Sequence, residues 1–228
     1  MAESAEGFAD LYDRVHAAMV GWLLGEIRGS PEAKTYGLGY RSYPEFVYNY
    51  YGHKGSVDIL TYHAQRADKT PGGVVELYEV WSAIHRLEEA LRKFNEKAEF
   101  VPKYFQQTRK PREKLGVQRN YFVLLNTLEN VTLIKDNWHT FTSQFCEFHK
   151  ILDVVDRAIT NQLVLVDPLH PQYFPIRDAG ENGMTLMPSL PWIVVSLPGN
   201  VDERLEQWSF VDAADFWQKY RQRKSGKR

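Results

Sequence analysis

Gly55-Ser56-Val57-Asp58-Ile59-Leu60 and Val74-Val75-Glu76-Leu77-Tyr78-Glu79-Val80-Trp81 are apolar runs, each carrying acid in β-branched and aromatic company. Asp68-Lys69-Thr70-Pro71-Gly72-Gly73 between them is turn chemistry, so the pair reads as two β-strands joined by a turn. Strands this apolar are central ones, where a lone carboxylate is costly unless something compensates it. Asp58 and Glu79 are therefore expected either to be satisfied by cations or to hold a metal. In the first case Asp58 bonds backbone or an arginine, and Glu79 pairs with a helix cation such as Arg86. Glu76 competes with Glu79 but, three residues away, points to the opposite face.

Working outward, residues 8–28 repeat apolar side chains (Phe8, Leu11, Val15, Met19, Leu23, Ile27) at helical spacing, with Asp13, His16 and Glu26 as polar members. Gly29-Ser30-Pro31 closes that helix. Residues 45–51 read as a strand, turned by Gly52-His53-Lys54-Gly55 into an antiparallel hairpin with 56–64. A second helix is expected over 85–105, kinked or ended at Pro102. Tyr121-Phe122-Val123-Leu124-Leu125 reads as a fourth strand, 139–162 as a third helix and 163–166 as a fifth strand. Six prolines between 168 and 198 argue against long elements there; 192–197 is a candidate strand and 211–220 a closing helix. The organisation expected is a core over 1–167 with a C-terminal extension over 168–228 packed on it, ending in a basic tail at 221–228.

The totals bound the class. A 228-residue chain with 43% hydrophobic and 25% charged residues suits a soluble globular protein. The formal net charge of −1 excludes bulk polycation behaviour. One cysteine, Cys146, excludes an internal disulfide framework, and no apolar run approaches the length of a membrane span. A cytoplasmic protein without membrane attachment is the expectation. Charge is nonetheless local. Residues 103–119 hold Lys103, Arg109, Lys110, Arg112, Lys114 and Arg119 against Glu113, a net +5. Residues 106–119 have no apolar period and read as a polar loop: either a solvated one or a clamp for a nucleic-acid backbone.

Helix, three strands, helix, strand, helix, strand is an order that resembles the core of restriction-endonuclease-like enzymes. Gly55–Leu60 and Leu77–Trp81 carry the likeness, resembling that superfamily's second-strand aspartate and third-strand Glu-x-Lys, over roughly residues 8–166. The resemblance implies an α/β fold with a central mixed sheet, and Mg²⁺- or Mn²⁺-dependent cleavage of phosphodiester bonds, DNA being the expected substrate. Asp58 and Glu79 would be the catalytic and metal-holding acids, with a strand carbonyl near Val80 as a third ligand. A further acid would come from Glu45 or, on the first helix, from Asp13 or Glu26. Where the family has its lysine this sequence has Trp81; Lys54, His63, His85 and Lys93 are the candidate replacements. Without an amine the same fold would act in nucleic-acid binding or protein assembly, with a second copy or an assembly partner beside nucleic acid.

Overall fold

The structure is a computed structural model that describes residues 3–64, 72–109, 115–145, 158–166, 168, 184–186, 192–195 and 210–225. In chain order the described elements are α1 (Glu3–Gly29), α2 (Pro31–Tyr36), a 3-10 turn (Gly37–Gly39), β1 (Arg41–Tyr50), β2 (His53–Ala64), β3 (Gly73–Trp81), α3 (Leu87–Arg109), β4 (Leu115–Leu125), α4 (Leu128–Asp136), α5 (Trp138–Phe145), β5 (Ala158–Val166), β6 (Met184–Leu186), β7 (Trp192–Val195) and α6 (Ala213–Ser225). The fold is α/β around a mixed sheet. β1, β2 and β3 form an antiparallel meander, β4 and β5 follow parallel to β3, and the short β7 and β6 extend the sheet beyond β5 in antiparallel fashion.

Helices cover both faces. Val15, Met19, Leu23 and Ile27 of α1 pack with Phe216 of α6 on Ile59, Tyr78, Tyr121, Val123 and Val164. The C-terminal helix thus lies on the core, with Tyr220 filling the space a side chain at Gly21 would need. On the other face α3, α4 and α5 cover Phe122, Leu124, Leu163 and Leu165 through Phe94, Ile134 and Phe141. A third cluster joins Val101 and Phe105 of α3 to Phe46, Val57, Leu60 and Leu77. β3 is buried along almost its whole length, as a strand covered on both faces must be.

Several expectations change. The β1–β2 turn is Tyr51-Gly52, both at positive φ, the two-residue geometry whose twist suits a hairpin; His53, Lys54 and Gly55 already belong to β2. The stretch 106–119 is not one loop: α3 runs to Arg109 and β4 begins at Leu115. Nor does α3 stop at Pro102. Proline has no N–H to give the carbonyl of Ala98 four residues earlier, and the Gln118 side-chain amide of β4 donates to that oxygen instead at 2.7 Å. The expected helix over 139–162 is helical over its first residues, as α5, and strand over its last, as β5, with α4 preceding it; 146–157, and with them Cys146, lie outside the described residues. Ile159 is the only large apolar residue in 158–162, so periodicity there could not separate a helix from a strand. The expected turn at 68–73 lies outside the described residues up to Pro71.

Candidate functional site

Asp58 sits at a break in the sheet. The β1–β2 ladder pairs Pro44 with Ile59 and Phe46 with Val57 but skips Glu45 opposite Asp58, and Glu45 takes φ +48°. Side-chain alternation flips there. Val57 belongs to the α3 cluster and Ile59, two residues on, to the α1 cluster, whereas a regular strand would put both on one face. The Asp58 carboxylate accordingly reaches past the last β2–β3 pair, Ile59↔Tyr78, to accept the Val80 N–H at 2.7 Å through Oδ2. Its Oδ1 meets His16 Nε2 of α1 at 3.3 Å.

Glu79 stands on the neighbouring strand and points to the α3 side, where Lys97 Nζ donates to its Oε1. It is 5% exposed, and its Oε2 is buried without a hydrogen-bond partner. Burial, reinforced by the charge of Asp58, pushes its carboxyl up to about 7 against the opposing pull of Lys97 and His16. The His16 imidazole is raised as well, first by its hydrogen bond to Asp58. The two expected acids therefore meet electrostatically at the open end of the β2–β3 ladder, one steadied from α1 and the other from α3. An extended residue sends its N–H and C=O out on the same side, so Val80, whose N–H points to Asp58, has its carbonyl on the β2 side too.

Other expected members lie elsewhere. Glu45 is exposed and lines a groove of about 480 Å³ with Tyr43, Tyr104 and Arg109. Neither it nor Asp13 or Glu26 joins Asp58 and Glu79: among the described residues no three His, Cys, Asp or Glu side chains gather closely enough to hold a metal ion. Lys54 is exposed at the start of β2, His63 is buried and stacked on Tyr36 and Tyr40, and Lys93 pairs with Glu89. Lys97 was missed, though its signal was present. One helical turn advances about as far as two strand residues, so a lysine one turn beyond Lys93 comes level with Glu79 if Lys93 is level with Trp81. His16 was visible as a polar residue on α1, but nothing local tied it to Asp58. Glu79 pairs with Lys97 rather than with Arg86, which lies by Glu89.

The basic stretch is divided. Arg119 is a strand residue whose Nη1 donates to Glu76 Oε1 at 3.0 Å. Thr61 and Tyr78 donate to the other oxygen of Glu76, so this acid, on the opposite face as expected, is satisfied within the protein. Lys103 pairs with Glu99 one turn away, and Arg109 lies over the Tyr43 ring. Lys110, Arg112 and Lys114 are outside the described residues.

A hard divalent cation would find two carboxylates here and no third acid among the described residues. The orphaned Glu79 oxygen, the repulsion between two carboxylates and a ladder-end carbonyl suit an ion that takes few protein ligands and keeps much of its own water. Among the described residues no helix is long and apolar enough to cross a membrane. Compared with protein-family models, with curated proteins and with solved structures, the chain matches none of them.

Proposed function

We propose that the chain is a metal-dependent nuclease of the restriction-endonuclease-like type, cleaving phosphodiester bonds in DNA with Mg²⁺ or Mn²⁺. The observation that carries this reading is Lys97. An ammonium group stands at Glu79, on the strand that has Trp81 where the family has its lysine, so the missing charge is restored from α3. The order α-β-β-β-α-β, with β3 and β4 parallel, supports the same core, and the C-terminal extension supplies α6.

In this reading Asp58, Glu79 and the Val80 carbonyl would hold the ion, with Glu79 in its ionised form. When bound, the ion supplies neutralisation of phosphate charge and a lowered water pKa. Lys97 places a positive charge beside the same carboxylate, and His16 fixes the orientation of Asp58 while keeping a proton at the site.

The test is a Mn²⁺ titration with single- and double-stranded DNA, read for bound Mn²⁺ by electron paramagnetic resonance and for cleavage on gels. Binding and cutting are expected in the unaltered chain and absent in Asp58→Ala and Glu79→Ala. Undiminished cutting in either variant overturns the assignment. A second reading, a silent nuclease-fold protein for nucleic-acid binding or assembly, is favoured by one observation: both carboxylates already have basic partners within the protein, His16 and Lys97. It requires salt-sensitive DNA affinity with neither Mn²⁺ binding nor turnover.

A further inference from the structure

Trp81 closes β3 and shares a face with Glu79, two residues along the strand. It does not disappear into the core. The residue is only partly buried, and its indole lies 6.1 Å from Phe122 at an interplanar angle of 29°. It also lines an open pocket of about 180 Å³ with His85, Arg86, Glu89 and Lys93. The indole N–H has no hydrogen-bond partner, so packing alone sets the ring. Arg86 and Lys93 both pair with Glu89 on the pocket wall, leaving one net positive charge, and the Arg86 side chain is 81% exposed at its rim. The pocket lies one helical turn along α3 from Lys97, at the same end of β3 as Glu79.

An aromatic wall beside an excess of positive charge, two residues along the strand from Glu79, has the chemistry of a nucleotide subsite: a π-face for a base and positive charge for its phosphate. We infer that Trp81 is a stacking platform that, with Arg86 and Lys93, receives one nucleotide of a single strand next to the bond held at Asp58 and Glu79. This rests on the nucleic-acid reading above and adds to it a role for the residue in the lysine's place. An acidic peptide would meet the cations but have no use for the ring.

The experiment uses the full chain without divalent metal, a fluorescein-labelled short DNA strand followed by anisotropy, and adenosine monophosphate as the small probe. Trp81→Ala is expected to weaken strand binding about tenfold or more, the scale of one lost base stack, and Trp81→Phe to stay within about threefold. In fluorotryptophan-labelled protein, the resonance that vanishes in Trp81→Phe should shift on adding adenosine monophosphate. Arg86→Glu probes the same pocket from an exposed position, without touching the core, and should also weaken binding. Unchanged binding in both Trp81→Ala and Arg86→Glu, an unmoved Trp81 resonance, or displacement of the strand by polyglutamate as readily as by adenosine monophosphate overturns the subsite. Those results leave the nuclease reading standing if Mn²⁺-dependent cutting still needs Asp58; a chain that binds no strand even at low salt removes both.

Discussion

Lys97 on α3 donates to Glu79 on β3 across eighteen positions of sequence, joining a 5% exposed carboxylate to the only cation that reaches it among the described ion pairs. Removing one partner of such a pair leaves the other charge uncompensated in the interior. Lys97→Met should therefore cost about 3 kcal/mol near pH 8, the lower end for a broken buried pair, because Glu79 can take up a proton in response. Near pH 5, with Glu79 already protonated, the cost should be much smaller. Urea unfolding at the two pH values measures the difference, and Glu79→Gln should rescue the stability of Lys97→Met at the higher pH. An equal cost at both pH values would mean the pair carries no ionic weight.

The pH dependence of stability follows from the same carboxyl. Its folded value of about 7 lies above the ordinary 4.5, so the folded state binds more protons in between and stability falls as pH rises through that window. The fall assignable to Glu79 is about 3 kcal/mol at 1.36 kcal/mol per pH unit. His16, raised by Asp58, adds a slope of the same sign: its contribution is complete below about 6.5 and lost as pH rises through its folded value. Metal-free protein unfolded in urea across this range should show the decline, Glu79→Gln should remove most of it, and His16→Asn the remainder. Stability rising with pH between about 5 and 7 would contradict the site as described.

Arg119 and Arg109 should separate cleanly although sequence puts them in one basic stretch. Arg119→Ala strands the buried Glu76 carboxylate and is expected to destabilise by about 3 kcal/mol, moderated because Arg119 is itself 35% exposed. It should leave the salt dependence of DNA binding unchanged. Arg109→Ala should be near neutral for stability and, if it contacts a phosphate, reduce the slope of log affinity against log salt by about one. Thermal unfolding and anisotropy titrations at several salt concentrations check both. The reverse pattern would restore the whole stretch as a binding surface.

Gln118 is fully buried, and its amide bonds both the Ala98 carbonyl and Asn120 Oδ1. Gln118→Ala should cost about 1–3 kcal/mol, since it leaves a helix carbonyl unsatisfied in the interior. The same change made on top of Pro102→Ala should cost less, because alanine restores the backbone donor that Ala98 lacks. A double-mutant cycle by urea denaturation measures this coupling; additive costs would show that proline is not the reason for the glutamine.

How much was legible divides along physical lines. Strand β3 and its acids were readable because an apolar run containing a carboxylate is rare and costly wherever it occurs. Helix α1 was readable from its period. The fate of Glu45 and Asp58 was not: the alternation flip between Val57 and Ile59 depends on a ladder pair that fails to form between two strands. Pro102 misled because the donor that replaces its N–H comes from Gln118, sixteen residues away in another element.

The chain by itself determined an α/β order and the placement of Asp58 and Glu79 on neighbouring strands, because side-chain periodicity and turn chemistry are local. Only the tertiary structure decided which charges meet: His16 with Asp58, Lys97 with Glu79, Arg119 with Glu76. Pairing of buried charges is fixed by how helices dock on the sheet, and docking is settled by the packing of all three hydrophobic clusters together.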